Sequence, residues 1–186
     1  MKVIKLGGSL LHPNRLLNCL DYIEQHDQHV PMVIVPGGGV FADQVRHAQQ
    51  QWQFDDVAAH QMAILAMQQM ALLFNGLKPS FKIANSIAEI QLHLVAHHRI
   101  IWSPAIAELN NAGIAASWGV TSDSLSAWLA QVLLTDELVL VKSAQIPKDY
   151  SLQELAQLAV LDSAFCNFVR NVTYKISVVN YQQFSA

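Results

Sequence analysis

Four short stretches carry groups suited to handling a phosphate. They are Lys5-Leu-Gly-Gly-Ser9, Pro36-Gly-Gly-Gly39, Trp118-Gly-Val-Thr-Ser-Asp-Ser124 and Lys142-Ser143. Glycine lets a backbone approach a ligand closely and leaves amide donors exposed. A helix that starts just beyond adds a field favourable to anions. Gly7, Gly8 and Ser9 lie at one strand-to-helix junction, and Gly37, Gly38 and Gly39 at a second. Two such loops after neighbouring parallel strands can clamp a phosphate between them. Either loop taken alone also fits an ordinary tight turn. Lys5 aims a cation at the same space from its strand end. Asp123 can hold Lys5 and a second lysine in register through charge-assisted hydrogen bonds. Lys142, at the carboxyl end of a strand, faces the crevice where open α/β sheets bind ligands. Thr121, Ser122 or Asp123 can alternatively serve as a helix cap.

Neither glycine loop has a P-loop or dinucleotide fingerprint, which disfavours a nicotinamide enzyme. Phe41 and Trp118 can stack on a planar substrate or pack in a core. Asp43 and Asn85 are weaker contact candidates, and His60 suits either the surface or a site rim. Among the eight histidines, His93, His97 and His98 lack the cysteine or carboxylate partners of a metal centre, so no protein metal site is expected.

Positioning these groups requires strands that end at the glycines. Val3-Ile4 opens a short strand, and a helix spans Pro13–Ile23. Pro31–Val35 is an apolar run typical of a strand covered on both faces. A helix follows with Val40, Phe41 and Val45. Phe54–Phe74 is the longest helical pattern, with Asp55 or Asp56 at its start, an apolar stripe of Met62, Leu65, Ala66, Met70 and Leu73, and a stop at Asn75-Gly76. A short helix is expected over Ser86–Leu94 and a strand over Arg99–Trp102. A helix over Ala105–Asn110 and a strand over Ile114–Trp118 follow. Asp123–Leu134 is a helix, Leu138–Val141 a buried strand, Ser151–Val160 helical and Tyr174–Val179 the last strand. This alternation points to a three-layer αβα sandwich with a mainly parallel central sheet.

The 186 residues suit a single compact domain over 1–186. Hydrophobic residues make up 52% and charged residues only 13%, which excludes a disordered chain and favours a homodimer that hides part of the surface. With Lys+Arg 11 against Asp+Glu 14, no broad basic face exists for nucleic acid. Cys19 and Cys166 read as buried free thiols. No signal peptide or membrane span is evident, so a cytoplasmic location is expected.

The four stretches, in this order, resemble the amino acid kinase superfamily, which includes aspartate, acetylglutamate and bacterial uridylate kinases. The compact form with Trp-Gly-Val-Thr-Ser-Asp-Ser is most similar to the small methanogen and methylotroph kinases that act on an aminomethyl-furanmethyl phosphate. The resemblance covers most of residues 1–143. It implies an ATP- and Mg²⁺-dependent phosphotransferase acting on a small phosphate or carboxylate acceptor. Lys5, Asp123 and Lys142 would be catalytic, and Gly7, Gly8, Ser9 and Ser143 would meet the nucleotide. Gly37, Gly38, Gly39, Phe41, Trp118, Thr121 and Ser122 would meet the acceptor. Many relatives continue after this strand with Asp-Gly-Val/Ile-Tyr. Here the stretch is Ser143-Ala-Gln-Ile-Pro147, which implies a truncated C-terminal nucleotide region. The alternative is a catalytically weak binding or regulatory subunit on the same fold.

Overall fold

A computed structural model of the protein describes residues 1–185. Six parallel strands form its sheet. They are β1 (Lys2–Leu6), β2 (Met32–Pro36), β3 (Lys82–Ala84), β4 (Arg99–Trp102), β5 (Glu137–Lys142) and β6 (Lys175–Asn180). Their spatial order is β3-β4-β2-β1-β5-β6. From β1 the chain builds first towards β3 and later, on the other side, towards β6. The reversal places a crevice at the carboxyl ends of β1 and β5, where such sheets bind ligands. Lys142 ends β5, and Lys5 lies one residue before the end of β1.

Period-two alternation sends successive side chains to opposite faces. Val3, Leu138 and Leu140 enter one core with Val33 and Trp102. Ile4, Leu6, Val139 and Val141 enter the other with Ile34. By the same parity Lys5 and Lys142 share the first face. That face is covered by α4 (Ile87–His93), α5 (Ile106–Asn111), α6 (Ser122–Val132), α7 (Leu152–Gln157) and α8 (Phe165–Phe168). The second is covered by α1 (Pro13–Gln25) and α9 (Tyr181–Phe184). Between β2 and β3 run α2 (Gly39–Trp52) and α3 (Asp56–Leu77). Asp55 caps α3, its carboxylate accepting the Ala58 N–H at 2.7 Å. Ile64 and Met67 of α3 enter the first core; Met70, Ala71 and Phe74 enter the second.

The expected apolar stripe of α3 divides. Ala66 and Met70 are buried, whereas Met62, Leu65 and Leu73 stay exposed. By length and composition α3 could cross a bilayer, but it packs on α2 and on β2 through β4. Asn75-Gly76 does not end the helix, which continues to Leu77. The strand expected over Ile114–Trp118 does not form. Only Ile114 packs on the core, Ala115, Ala116 and Ser117 are poor strand formers, and Ser117 enters a turn whose carbonyl accepts the Val120 N–H at 3.1 Å. Strand β3 and helix α9 were not anticipated.

Arg99 opens β4 from a buried position. Its guanidinium donates to the carbonyls of Ile23, His26, Asp27, Val30 and His98 at 2.6–3.2 Å. A buried cation needs such donor satisfaction in place of water, and the four carbonyls from Ile23 to Val30 fix the turn between α1 and β2.

Candidate active site

The shared parity of Lys5 and Lys142 brings both ammonium groups to the N-terminus of α6. There Asp123, in the helix's first turn, lies between them. Lys142 Nζ donates to Asp123 Oδ2 at 2.6 Å. Lys5 Nζ lies 2.8 Å from Oδ1, an ion pair without hydrogen-bond direction. All three residues are buried. Burial alone would raise the Asp123 carboxyl, but the charges of Lys5 and Lys142 outweigh it and hold it at about 2. Burial, with help from Lys5, pushes the Lys142 ammonium down to about 8 against the pull of Asp123. Two cations are thus stored around one carboxylate, with a net positive charge to offer an anion.

The glycine loops touch. A Cβ on Gly8 would sit 2.6 Å from the backbone N and Cα of Gly39, and one on Gly37 would sit 2.6 Å from the Gly8 nitrogen. Gly39 also adopts a positive φ of 55°, the region that favours glycine. Beside the loops, Ser143 Oγ donates to Ser9 Oγ at 2.9 Å. Asn180, at the end of β6, holds the following turn by donating to the carbonyls of Ser143 and Ala144 at 3.2 and 2.8 Å.

Two cavities meet at Lys5. One, of about 480 Å³, lies between the loop at Gly37–Gly39, α2 and α3, and is walled by Asp43, Arg46, His60, Met67, Trp118, Thr121 and Ser122. The other, of about 580 Å³, runs past Gly7, Ser9, Asp123, Lys142 and Ser143 to the segment 158–163. Arg46 borders both and lies over the Trp118 indole, 4.3 Å from its ring centroid. The Trp118 N–H donates to Gln49 Oε1 at 2.6 Å. Cation–π contact and hydrogen bond together fix the indole as a wall.

His60 is buried, and desolvation lowers its pKa, favouring neutral imidazole. Phe41 differs from expectation: it packs on the second core and lines neither cavity. At 100° per residue it points some 200° away from Asp43, which faces the cavity. Asn85 likewise lines neither; its amide and side-chain nitrogens both donate to Glu89.

None of Thr121, Ser122 and Asp123 caps α6 with its side chain. Asp162, in the loop before α8, does so from a distance. Its carboxylate accepts from the N–H groups of Thr121 and Ser124 at 2.9 and 3.0 Å and from both of their hydroxyls. Asp162, Arg46 and Asp56 are among the polar side chains of the site that sequence reasoning missed. Arg46 carried a usable signal, one turn beyond Asp43 on the same helix face. Asp162 carried none, because its partners lie 38 and 41 residues earlier.

Residues 1–145 match the model of the amino acid kinase family. The chain belongs to the amino acid kinase family. A relative in Methanocaldococcus jannaschii, described as [5-(aminomethyl)furan-3-yl]methyl phosphate kinase, is 28% identical over 148 residues, covering 75% of this chain and 64% of the relative. The match thus takes in less than two thirds of that relative's length. Uridylate kinase from Archaeoglobus fulgidus superposes with a TM-score of 0.75 at 18% identity, over 100% of this chain and 94% of that one. Aspartate kinase from Synechocystis gives a TM-score of 0.70 at 16% identity, over 98% of this chain and 38% of that one. At such identities the two structures speak for the amino acid kinase fold alone.

Proposed function

We propose that the protein transfers the γ-phosphoryl group of ATP to a small phosphomonoester, an aminomethyl-furanmethyl phosphate or a close analogue. The observation that carries this reading is the Lys5–Asp123–Lys142 cluster at the junction of two cavities. The cavity ending at 158–163 suits the donor, and the one beneath Arg46 suits the acceptor. An acceptor phosphate oxygen attacks the γ-phosphorus while the bond from that phosphorus to the bridging β,γ-oxygen breaks, leaving ADP. A phosphate monoester is already nucleophilic, so no general base is needed. Lys5 and Lys142 offset charge on the equatorial oxygens, and loop amides add donors.

Both Asp123 oxygens face lysines, and Asp162 is occupied by four donors. These carboxylates fit a Mg²⁺ ion carried in on the nucleotide phosphates better than one caged by protein. When bound, it would neutralise phosphate charge.

The acceptor cavity is lined by the cations Lys5 and Arg46 together with Asp43, Asp56 and His60, whose imidazole burial keeps neutral. This mixed lining supports an acceptor that carries both a phosphate and an ammonium. Phosphorus NMR of the chain with Mg-ATP and the furan phosphate tests the reading: a diphosphate product with ADP supports it. Absence of ATP binding at millimolar concentration in folded protein refutes it. Residues 143–147, in place of the usual nucleotide loop, favour the second reading of a ligand-binding or regulatory subunit, which would bind a ligand without phosphoryl transfer.

The exposed Val57, Leu65 and Leu72 recur along α3, a helix-face spacing that suits contact with a second copy. Sedimentation giving only monomer at micromolar concentration would refute this homodimer.

A further inference from the structure

We propose that Asp162 is a positioning residue for the phosphoryl-transfer centre, aiming Asp123 and thereby setting the Lys5–Lys142 pair. The proposal rests on the phosphotransferase reading. Asp162 belongs to the segment after Lys142, yet its backbone N–H donates to Asp123 Oδ2 at 3.2 Å. That oxygen is the one that accepts from Lys142. The Asp162 side chain makes this reach possible. Its four bonds to Thr121 and Ser124 clamp the loop against α6, so the amide has one place to be.

Neighbouring contacts reinforce the clamp. The Ala164 N–H donates to the Gly119 carbonyl at 3.0 Å, and a Cβ on Gly119 would stand 3.0 Å from Ser163 Oγ. A local serine or threonine could have capped α6. Thr121 instead donates its hydroxyl to Asp162. The cap therefore comes from a residue that also lines the donor cavity. This arrangement ties the donor-side segment to the carboxylate between the two lysines. Moving the Asp123 carboxylate changes its contacts with both ammonium groups at once.

The charged groups facing Lys142 are Lys5 from β1, Asp123 from α6 and Asp162 from this loop. Removing the Asp162 charge and clamp leaves Lys142 less stabilised as an ammonium. The test uses the full chain, wild type against Asp162→Asn and Asp162→Ser. Both variants keep an oxygen near the helix end and lose the charge. Lys142 is followed by NMR with lysine Cε labelling, and phosphate transfer is measured alongside.

The Lys142 midpoint should fall in the variants, because the Asp162 charge that helps hold the ammonium is gone. The kcat should fall roughly 10- to 100-fold while KM for ATP stays within about threefold. A folded variant with an unmoved Lys142 midpoint overturns the proposal. A wild-type measurement covers the case in which neither variant folds: the Asp162 amide should be protected from hydrogen exchange, and exchange at the rate of an open loop overturns the proposal. Absence of phosphate transfer by the wild type counts against the kinase reading, while the Lys142 titration still decides the role of Asp162.

Discussion

Gly8 and Gly39 meet backbone to backbone, so close that a Cβ on Gly8 would lie 2.6 Å from two Gly39 main-chain atoms. The two glycine loops are therefore one packed unit. Gly8→Ala must push them apart. Unfolding should show a loss of about 1–3 kcal/mol, with a larger proportional loss of phosphate transfer. Gly76, with nothing within 4 Å of its Cβ position, is the control. Gly76→Ala in α3 should leave transfer intact and stabilise by about 0.5–1 kcal/mol.

The alkaline limb of activity should belong to Lys142. Its ammonium is held down to about 8 by burial and by Lys5. A transfer centre that needs this cation loses it as pH rises through that value. The pH profile of kcat/KM, which reports the free enzyme, should fall with a midpoint near 8. A flat profile to pH 9.5 would separate Lys142 from the rate.

Stability in acid should carry the mark of Asp123. Its folded pKa, about 2, lies below the ordinary 3.8. Its contribution is therefore fully present above about pH 4 and is lost as pH falls through about 2. The amount is on the order of 2 kcal/mol. Denaturant unfolding of wild type and Asp123→Asn at pH 5 and pH 2.5 isolates it. The difference between the two proteins should shrink at the lower pH.

Leu134 follows α6 with φ 52° and 87% exposure. This left-handed position strains a leucine and suits glycine. Leu134→Gly should raise stability by about 0.5–1 kcal/mol, readable as a higher thermal midpoint with unchanged transfer.

Much of the frame was legible because strand ends and chemistry coincide. Lys5 and Lys142 close apolar runs, and Asp123 follows polar residues at a helix start. These local patterns located the residues whose meeting depends on the sheet. The α/β class was legible for the same reason, since runs without polar alternation need cover on both faces. Strand β3 was hidden by its length of three residues and by exposed Lys82. Phe41 misled because aromatic character says nothing of which way a helix turns it. Asp162 was beyond local reading because its role exists only after α6 and the loop before α8 are side by side.

Arg99 carries a consequence for the order in which the chain consolidates. The turn after α1 exposes Asp27, Gln28 and His29, as loops ordinarily do. Its carbonyls are nevertheless gathered by a side chain arriving some 70 residues later in β4. The turn cannot reach its final form by local folding. Its Val30 amide, bonded to the Asp27 carbonyl at 2.8 Å, should open only when β4 detaches. A surface turn thus becomes a reporter of sheet integrity, with the cooperative exchange behaviour of the interior.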